Sequence, residues 1–238
     1  MKRVAVYLFT WMIVTIFLTG ILPAHAQDDE RKSPVSIGAD IMSRYVWRGL
    51  DYGASPSIQP YIEFGTGDFA IGAWGAYTTS LSTNNLLGVQ EMDLYATYTF
   101  AEMVTVGVTD YYFPVETGYS YNYFDYSSDT SLHVLEGMVS FNGLDDLPLT
   151  FMAGINLMND DDNSVYVEVG YSFSFIEVFA GAGNGMYLTS ENTFNLVNVG
   201  IKKSKEIKIT DSFSLPLSGT LIANPDAKQV HLVIGISL

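Results

Sequence analysis

Hydrophobic residues in this chain recur with a period of two, which restricts it to strands whose two faces meet different surroundings. Near the N-terminal end Val35, Ile37, Ala39, Ile41, Ser43, Tyr45 and Trp47 alternate with Ser36, Gly38, Asp40, Met42, Arg44, Val46 and Arg48. At the C-terminal end Val230, Leu232, Ile234, Ile236 and Leu238 alternate with Gln229, His231, Val233, Gly235 and Ser237. Between them lie candidate strands at 57–64, 69–78, 91–100, 103–113, 132–141, 149–157, 165–173, 177–187, 193–202 and 212–222. The segment 177–187 is the weakest, because its glycines blur both faces. Together these segments predict an all-β chain of about 12 antiparallel strands.

Two architectures share that pattern: a transmembrane up-and-down β-barrel and a soluble two-sheet sandwich. The barrel is favoured because an apolar face recurs on nearly every strand. Aromatic residues also gather near strand ends (Tyr45, Trp47, Phe64, Tyr98, Phe100, Tyr111, Tyr112, Phe113, Tyr171, Phe173), as interfacial girdles require. Charged residues are only 16% of the chain, against about 25% in a typical soluble domain. The connections add a second regularity. Those after odd-numbered strands are long or polar, and those after even-numbered strands are mostly tight, the pattern of extracellular loops and periplasmic turns. The exception is 203–211, a long basic connection on the side of the short turns.

The N-terminus reads as an export signal. Lys2 and Arg3 precede an apolar run to Leu22, and Ala24-His25-Ala26 offers small residues for cleavage after Ala26. The expected organisation is a signal peptide at 1–26, a short polar segment at 27–34 and a single barrel domain at 35–238, located in the cell outer membrane. No later segment has 18 uninterrupted apolar residues, and the chain has no cysteine, which excludes helical spans, disulfides and thiolate metal sites. The net charge is −15, and it grows more negative once the signal peptide leaves with two basic residues. Nucleic acid is therefore excluded as a partner. The expected partners are outer-membrane lipid, the barrel assembly machinery and small solutes or cations.

Several short motifs resemble one known family. Ser43-Arg44-Tyr45-Val46-Trp47-Arg48-Gly49, Pro56-Ser57-Ile58-Gln59-Pro60 and Gly72-Ala73-Trp74 resemble the opening strands of the TorF-type outer-membrane porins. Glu91-Met92-Asp93-Leu94-Tyr95 and Tyr166-Val167-Glu168-Val169 are similar to later strands of that family. The chain departs from common barrel termini in ending with Leu238 rather than Phe. The resemblance implies a barrel with a transport role and no defined substrate.

Alternation places Asp40, Arg44, Arg48, Glu63, Glu91, Asp93, Glu136 and Glu168 on the lumen side. Two readings follow. The charges line a pore whose acidic excess favours cations, or Arg44 or Arg48 bridges Glu91 or Glu136 and packs the barrel shut. The acidic run at 159–163 lacks the spacing and glycine of a calcium loop and reads as a solvated surface loop. The loop at 117–129, rich in Tyr, Ser and Asp, has the composition of a recognition surface. His133 is expected at the lipid interface and His231 in the lumen. A lipid-modifying enzyme would need His231 beside Ser237 and Glu168. No phosphate loop, zinc spacing or nucleophile elbow occurs, so no catalytic, metal or cofactor site is expected. Passive passage of small solutes is the leading reading, and a closed structural or surface-binding barrel is the alternative.

Overall fold

The computed structural model describes residues 33–80, 90–114, 122–127 and 131–238. The expected signal peptide and part of the loop at 117–129 lie outside the described residues. The strands are β1 Val35–Met42, β2 Tyr45–Trp47, β3 Leu50–Tyr52, β4 Ser57–Thr66, β5 Phe69–Thr78, β6 Gln90–Phe100 and β7 Val104–Tyr112. They continue as β8 His133–Phe141, β9 Leu149–Met158, β10 Val165–Ser172, β11 Glu177–Gly183, β12 Asn195–Lys208, β13 Ser214–Asn224 and β14 Gln229–Ser237. Twelve of these form one closed antiparallel barrel in sequence order, and β2 and β3 form a separate two-stranded hairpin. Closure comes from β1, which pairs with β4 along its whole length and with β14 through Asp40–Ser237 and Met42–Gly235. Closing the sheet pairs most of the wall backbone on both sides, leaving open only the strand ends beyond the short β1–β14 contact and the β12–β13 extension.

Burial is inverted relative to a soluble domain. Among the buried residues are Glu91, Asp93, Thr105, Thr109, Glu136, Ser140, Asn156 and Asn198, while Ile37, Ile58, Ile62, Phe64, Phe151, Val169, Leu221 and Leu232 are exposed. The alternation read in the sequence therefore separates a polar inner face from an apolar outer one. The loops at 43–56, 159–164, 184–194 and 225–228 share one end of the barrel, here the hairpin end. The start of β1, the end of β14 and the turns at 67–68, 101–103, 142–148, 173–176 and 209–213 share the other, here the termini end.

Three expectations need correction. The first strand does not run to Trp47: β1 stops at Met42, and the chain turns inward to build β2 and β3. Alternation continues through Tyr45 and Trp47 because the hairpin is itself extended, so periodicity alone misses the change of direction. The segment 177–187 is strand only to Gly183, followed by a single 3-10 turn at Gly185–Tyr187. The basic connection at 203–211 is largely strand, since β12 and β13 stay paired from Val199–Ala223 to Lys208–Ser214. Residues 203–214 are all exposed. With neither lumen nor apolar wall to face, the extension carries no alternation, and backbone hydrogen bonds hold it instead.

Close packing inside the wall depends on glycine where long side chains cross. A Cβ on Gly72 would lie 2.5 Å from the Tyr95 ring and 2.6 Å from the Ile62 carbonyl oxygen. Gly72→Val is expected to cost about 1–3 kcal/mol through overpacking. Urea unfolding of the refolded protein in detergent checks this, and an unchanged midpoint would contradict it.

Candidate functional site in the barrel lumen

The turn joining β2 to β3 contains only Arg48 and Gly49, both at positive φ (49° and 83°). That geometry matches the twist of a two-residue hairpin but is unfavourable for arginine. Glycine is required next to it, because a Cβ at position 49 would overlap the Val197 carbonyl of β12. Asn224 at the end of β13 donates from Nδ2 to the Gly49 carbonyl at 3.1 Å and pins the hairpin tip to the wall. The strain at Arg48 is therefore held by contacts from distant strands.

Arg48 is the centre of the lumen. Its guanidinium pairs with Glu136 of β8 in a two-pronged contact, the Nη2–Oε1 bond measuring 2.9 Å. It also donates to the Tyr187 hydroxyl at 2.5 Å. Trp47, Tyr166 and Tyr187 present their rings to the guanidinium carbon at 4.4, 4.6 and 5.2 Å, distances at which cation–π attraction operates. Tyr111 and Tyr187 each donate to Glu136 at 3.2 Å. The Arg48 and Glu136 side chains are 8% and 1% exposed, so the pair is desolvated and its remaining hydrogen-bond capacity is met by tyrosines.

The other half of the hairpin faces β5 and β6. Tyr45 donates to Glu91 Oε2 at 2.5 Å and packs against Trp74 with ring centroids 5.6 Å apart. Arg44 pairs with Asp51 within the hairpin itself. His231 of β14 places Nδ1 3.7 Å from the same Asp51.

Seven of the eight lumen residues expected from sequence, all except Glu63, line one cavity of about 270 Å³. Glu63 instead accepts from Tyr95 at 3.2 Å. Glu168 accepts from Tyr166 and, at 2.8 Å, from Asn198. Arg44 and Arg48 reach the lumen from the hairpin rather than from the face of β1. Arg48 meets Glu136, whereas Arg44 does not meet Glu91. Sequence reasoning missed Asp51, Tyr52, Tyr111, Tyr166, Tyr187 and Asn198 as partners. The Arg48-Gly49 dipeptide between Tyr45/Trp47 and Leu50/Tyr52 was the available signal, but arginine is not a usual residue for such a turn. His231 and Ser237 lie six residues apart on β14, about 20 Å at strand spacing, so they do not converge.

Outside the lumen, His133 is buried under Tyr112, Tyr123 and Tyr126, with Nδ1 2.8 Å from Asp110 and Nε2 2.7 Å from the Tyr123 carbonyl. At the hairpin end Asp226 ties two loops together. It accepts from the Thr189 and Ser190 amides at 2.7 and 3.1 Å, and from Asn192 and Asn195 at 3.2 and 2.9 Å. Burial opposes its charge, but these donors hold its carboxyl well below the usual carboxylate range. In the acidic run, Asp160 accepts from Asn156 and from the Asp162 and Ser164 amides, organising a turn with its own backbone.

These observations define a class: a closed twelve-strand barrel with a polar lumen occupied by an inward-folded hairpin. The chain belongs to the family described as "Bacterial protein of unknown function (Gcw_chp)", whose sequence model matches residues 28–211. The match includes the hairpin, Glu91, Asp93, Glu136, Tyr166, Tyr187 and Asn198. No curated protein matches the chain. Because the family has no assigned function, membership does not by itself make the chain a TorF-type porin.

Arg48→Ala leaves Glu136 buried without a countercharge and is expected to cost about 3–5 kcal/mol. Adding Glu136→Gln should recover at least half of that loss, and a double-mutant cycle by urea unfolding measures the coupling. Asp226 makes a separate prediction. Its folded carboxyl titrates below its unfolded value, so its contribution is present above that value, near pH 4, and disappears as pH falls through the folded value. The stability gap between wild type and Asp226→Asn should therefore be largest at neutral pH and shrink below about pH 4. A gap that widened with acidification would contradict the assignment.

Proposed function

We propose that this chain is an outer-membrane β-barrel of porin-like design, similar to the TorF type, whose passage is controlled by the β2–β3 hairpin. In the conformation described the hairpin obstructs the lumen, and small cations pass when it yields. The observation that carries this reading is the hairpin itself, anchored across the lumen by the Arg48–Glu136 pair.

Membrane residence is supported by the apolar outer wall. Isolated exposed hydrophobics are ordinary on any surface, but a continuous belt on every side marks a lipid contact. Exposed Phe64, Phe69, Tyr98, Phe100, Phe173 and Phe175 lie toward the termini end, where an aromatic girdle would meet the headgroups. An exported chain would then hold its termini in the periplasm, its long loops outside and outer-membrane lipid around it, after insertion by the barrel assembly machinery. Cation preference is supported by Asp40, Glu91, Asp93, Glu168 and Glu177 in the cavity wall.

One observation favours a second reading. Tyr166, Tyr187 and Val197 around the hairpin tip are completely buried, the packing expected of a permanently closed structural or surface-binding barrel.

Planar-bilayer recording separates the two. The refolded wild type should show rare, small openings, and Arg48→Ala should open often, with a cation-favouring reversal potential in a KCl gradient. If Arg48→Ala, shown to be folded and inserted, stays silent, the passage reading fails and the closed barrel stands.

A further inference from the structure

The cavity wall carries two acidic side chains that no basic group pairs with among the described residues. Glu91 and Asp93 sit two residues apart on the inner face of β6 and are 2% and 3% exposed. The nearby cations are committed elsewhere: Arg44 to Asp51, Arg48 to Glu136 and Lys202 to Glu177. Among the described residues no Lys, Arg or His pairs with Glu91 or Asp93. Glu91 at least accepts from Tyr45. Asp93 Oδ1 has no hydrogen-bond partner, and neither does Asn198 Oδ1, which is 7% exposed on the same cavity wall. The Asn198 amide oxygen can only accept a hydrogen bond, and a carboxyl oxygen accepts wherever it carries no proton. Leaving such atoms dry costs free energy, so the cavity is built to receive donors.

The wall beside Asp93 is aromatic. Trp74 is its direct cross-strand partner on β5, which brings the two side chains to within about 5 Å at Cβ. Tyr45 and Tyr52 continue the aromatic surface from the hairpin, with Tyr45 lying 5.6 Å from Trp74 and 5.3 Å from Tyr52. A carboxylate acceptor flanked by ring faces suits an ammonium group, which donates to the oxygen while its charge lies over the rings. A bare metal ion fits less well, because no three acidic or imidazole side chains converge among the described residues. The cavity extends to Glu177 and Lys202 at the termini end, which gives a small molecule a route in.

We propose that the lumen binds a small primary ammonium ion, its N–H groups donating to Asp93 Oδ1 and its charge resting against Trp74 and Tyr45. This rests on the reading of the barrel as a controlled passage and names the class of cation that the passage selects. The hairpin then takes part in recognition as well as closure, since Tyr45 binds both Glu91 and the aromatic wall.

Tryptophan fluorescence of the refolded mature protein in detergent tests this directly, because Trp74 lies in the site. Titration with propylammonium chloride should give a saturable change, with tetramethylammonium chloride and KCl at equal ionic strength as controls. Asp93→Asn keeps the size and shape of the side chain and should fold normally, as circular dichroism will show, while binding propylammonium at least tenfold more weakly. An equal response to KCl or tetramethylammonium, or full binding by Asp93→Asn, overturns the proposal. Saturable binding by a barrel whose Arg48→Ala form never conducts would sink the passage reading alone. Conductance without propylammonium binding would sink only the ammonium site.

Discussion

A buried charge must find a countercharge, and in this barrel the pairing of Arg48 with Glu136 meets that demand. An arginine carried into a desolvated lumen is tolerable only if a carboxylate and further hydrogen-bonding groups await it. Glu136, Tyr187, Tyr166 and Trp47 supply them from β8, β10, the 3-10 turn and the hairpin itself. Because these elements are distant in sequence, the pair forms only when the barrel has closed. The strained Arg48-Gly49 turn, the placement of Tyr45 on Glu91 and the bond from Asn224 to Gly49 all follow from that docking.

The same electrostatic logic divides the lumen into two unequal halves. On the side of β8 to β12, charge and hydrogen bonding are closely matched around the hairpin tip. On the side of β5 and β6, Glu91 and Asp93 have an aromatic neighbour but no cation. The contrast separates a half that anchors the hairpin from a half whose acidic groups face no basic partner. The described barrel contains a salt bridge that holds the hairpin and an acidic surface that the hairpin only partly covers.

Much of the fold was legible because period-two alternation reports directly on a wall with two unlike faces. Segments such as 69–78 and 91–100 correspond to β5 and β6 almost residue for residue. Alternation lost its meaning where one of the faces was missing. Residues 203–208 form strand with solvent on both sides, so their lysines read as a loop. Tyr45 and Trp47 alternate as part of a strand, yet the strand lies inside the barrel rather than in its wall. The acidic and basic lumen residues were likewise identifiable as inward-facing, but their partners were not. Tyr187 follows a strand that the sequence made indistinct, and nothing local connects it with Arg48, 139 positions earlier.

By itself, the sequence determined the number and spacing of the wall strands, the apolar outer face and the acidic excess within. Those properties depend on neighbouring residues and the pleat, which a linear pattern carries. Tertiary structure alone decided that the first loop folds inward, that Arg48 chooses Glu136 over Glu91, and that Asp93 is left with an unpartnered oxygen. These outcomes depend on which side chains meet across a closed barrel. Closure brings together residues that no period in the chain relates, and desolvation then makes each pairing, or its absence, energetically significant.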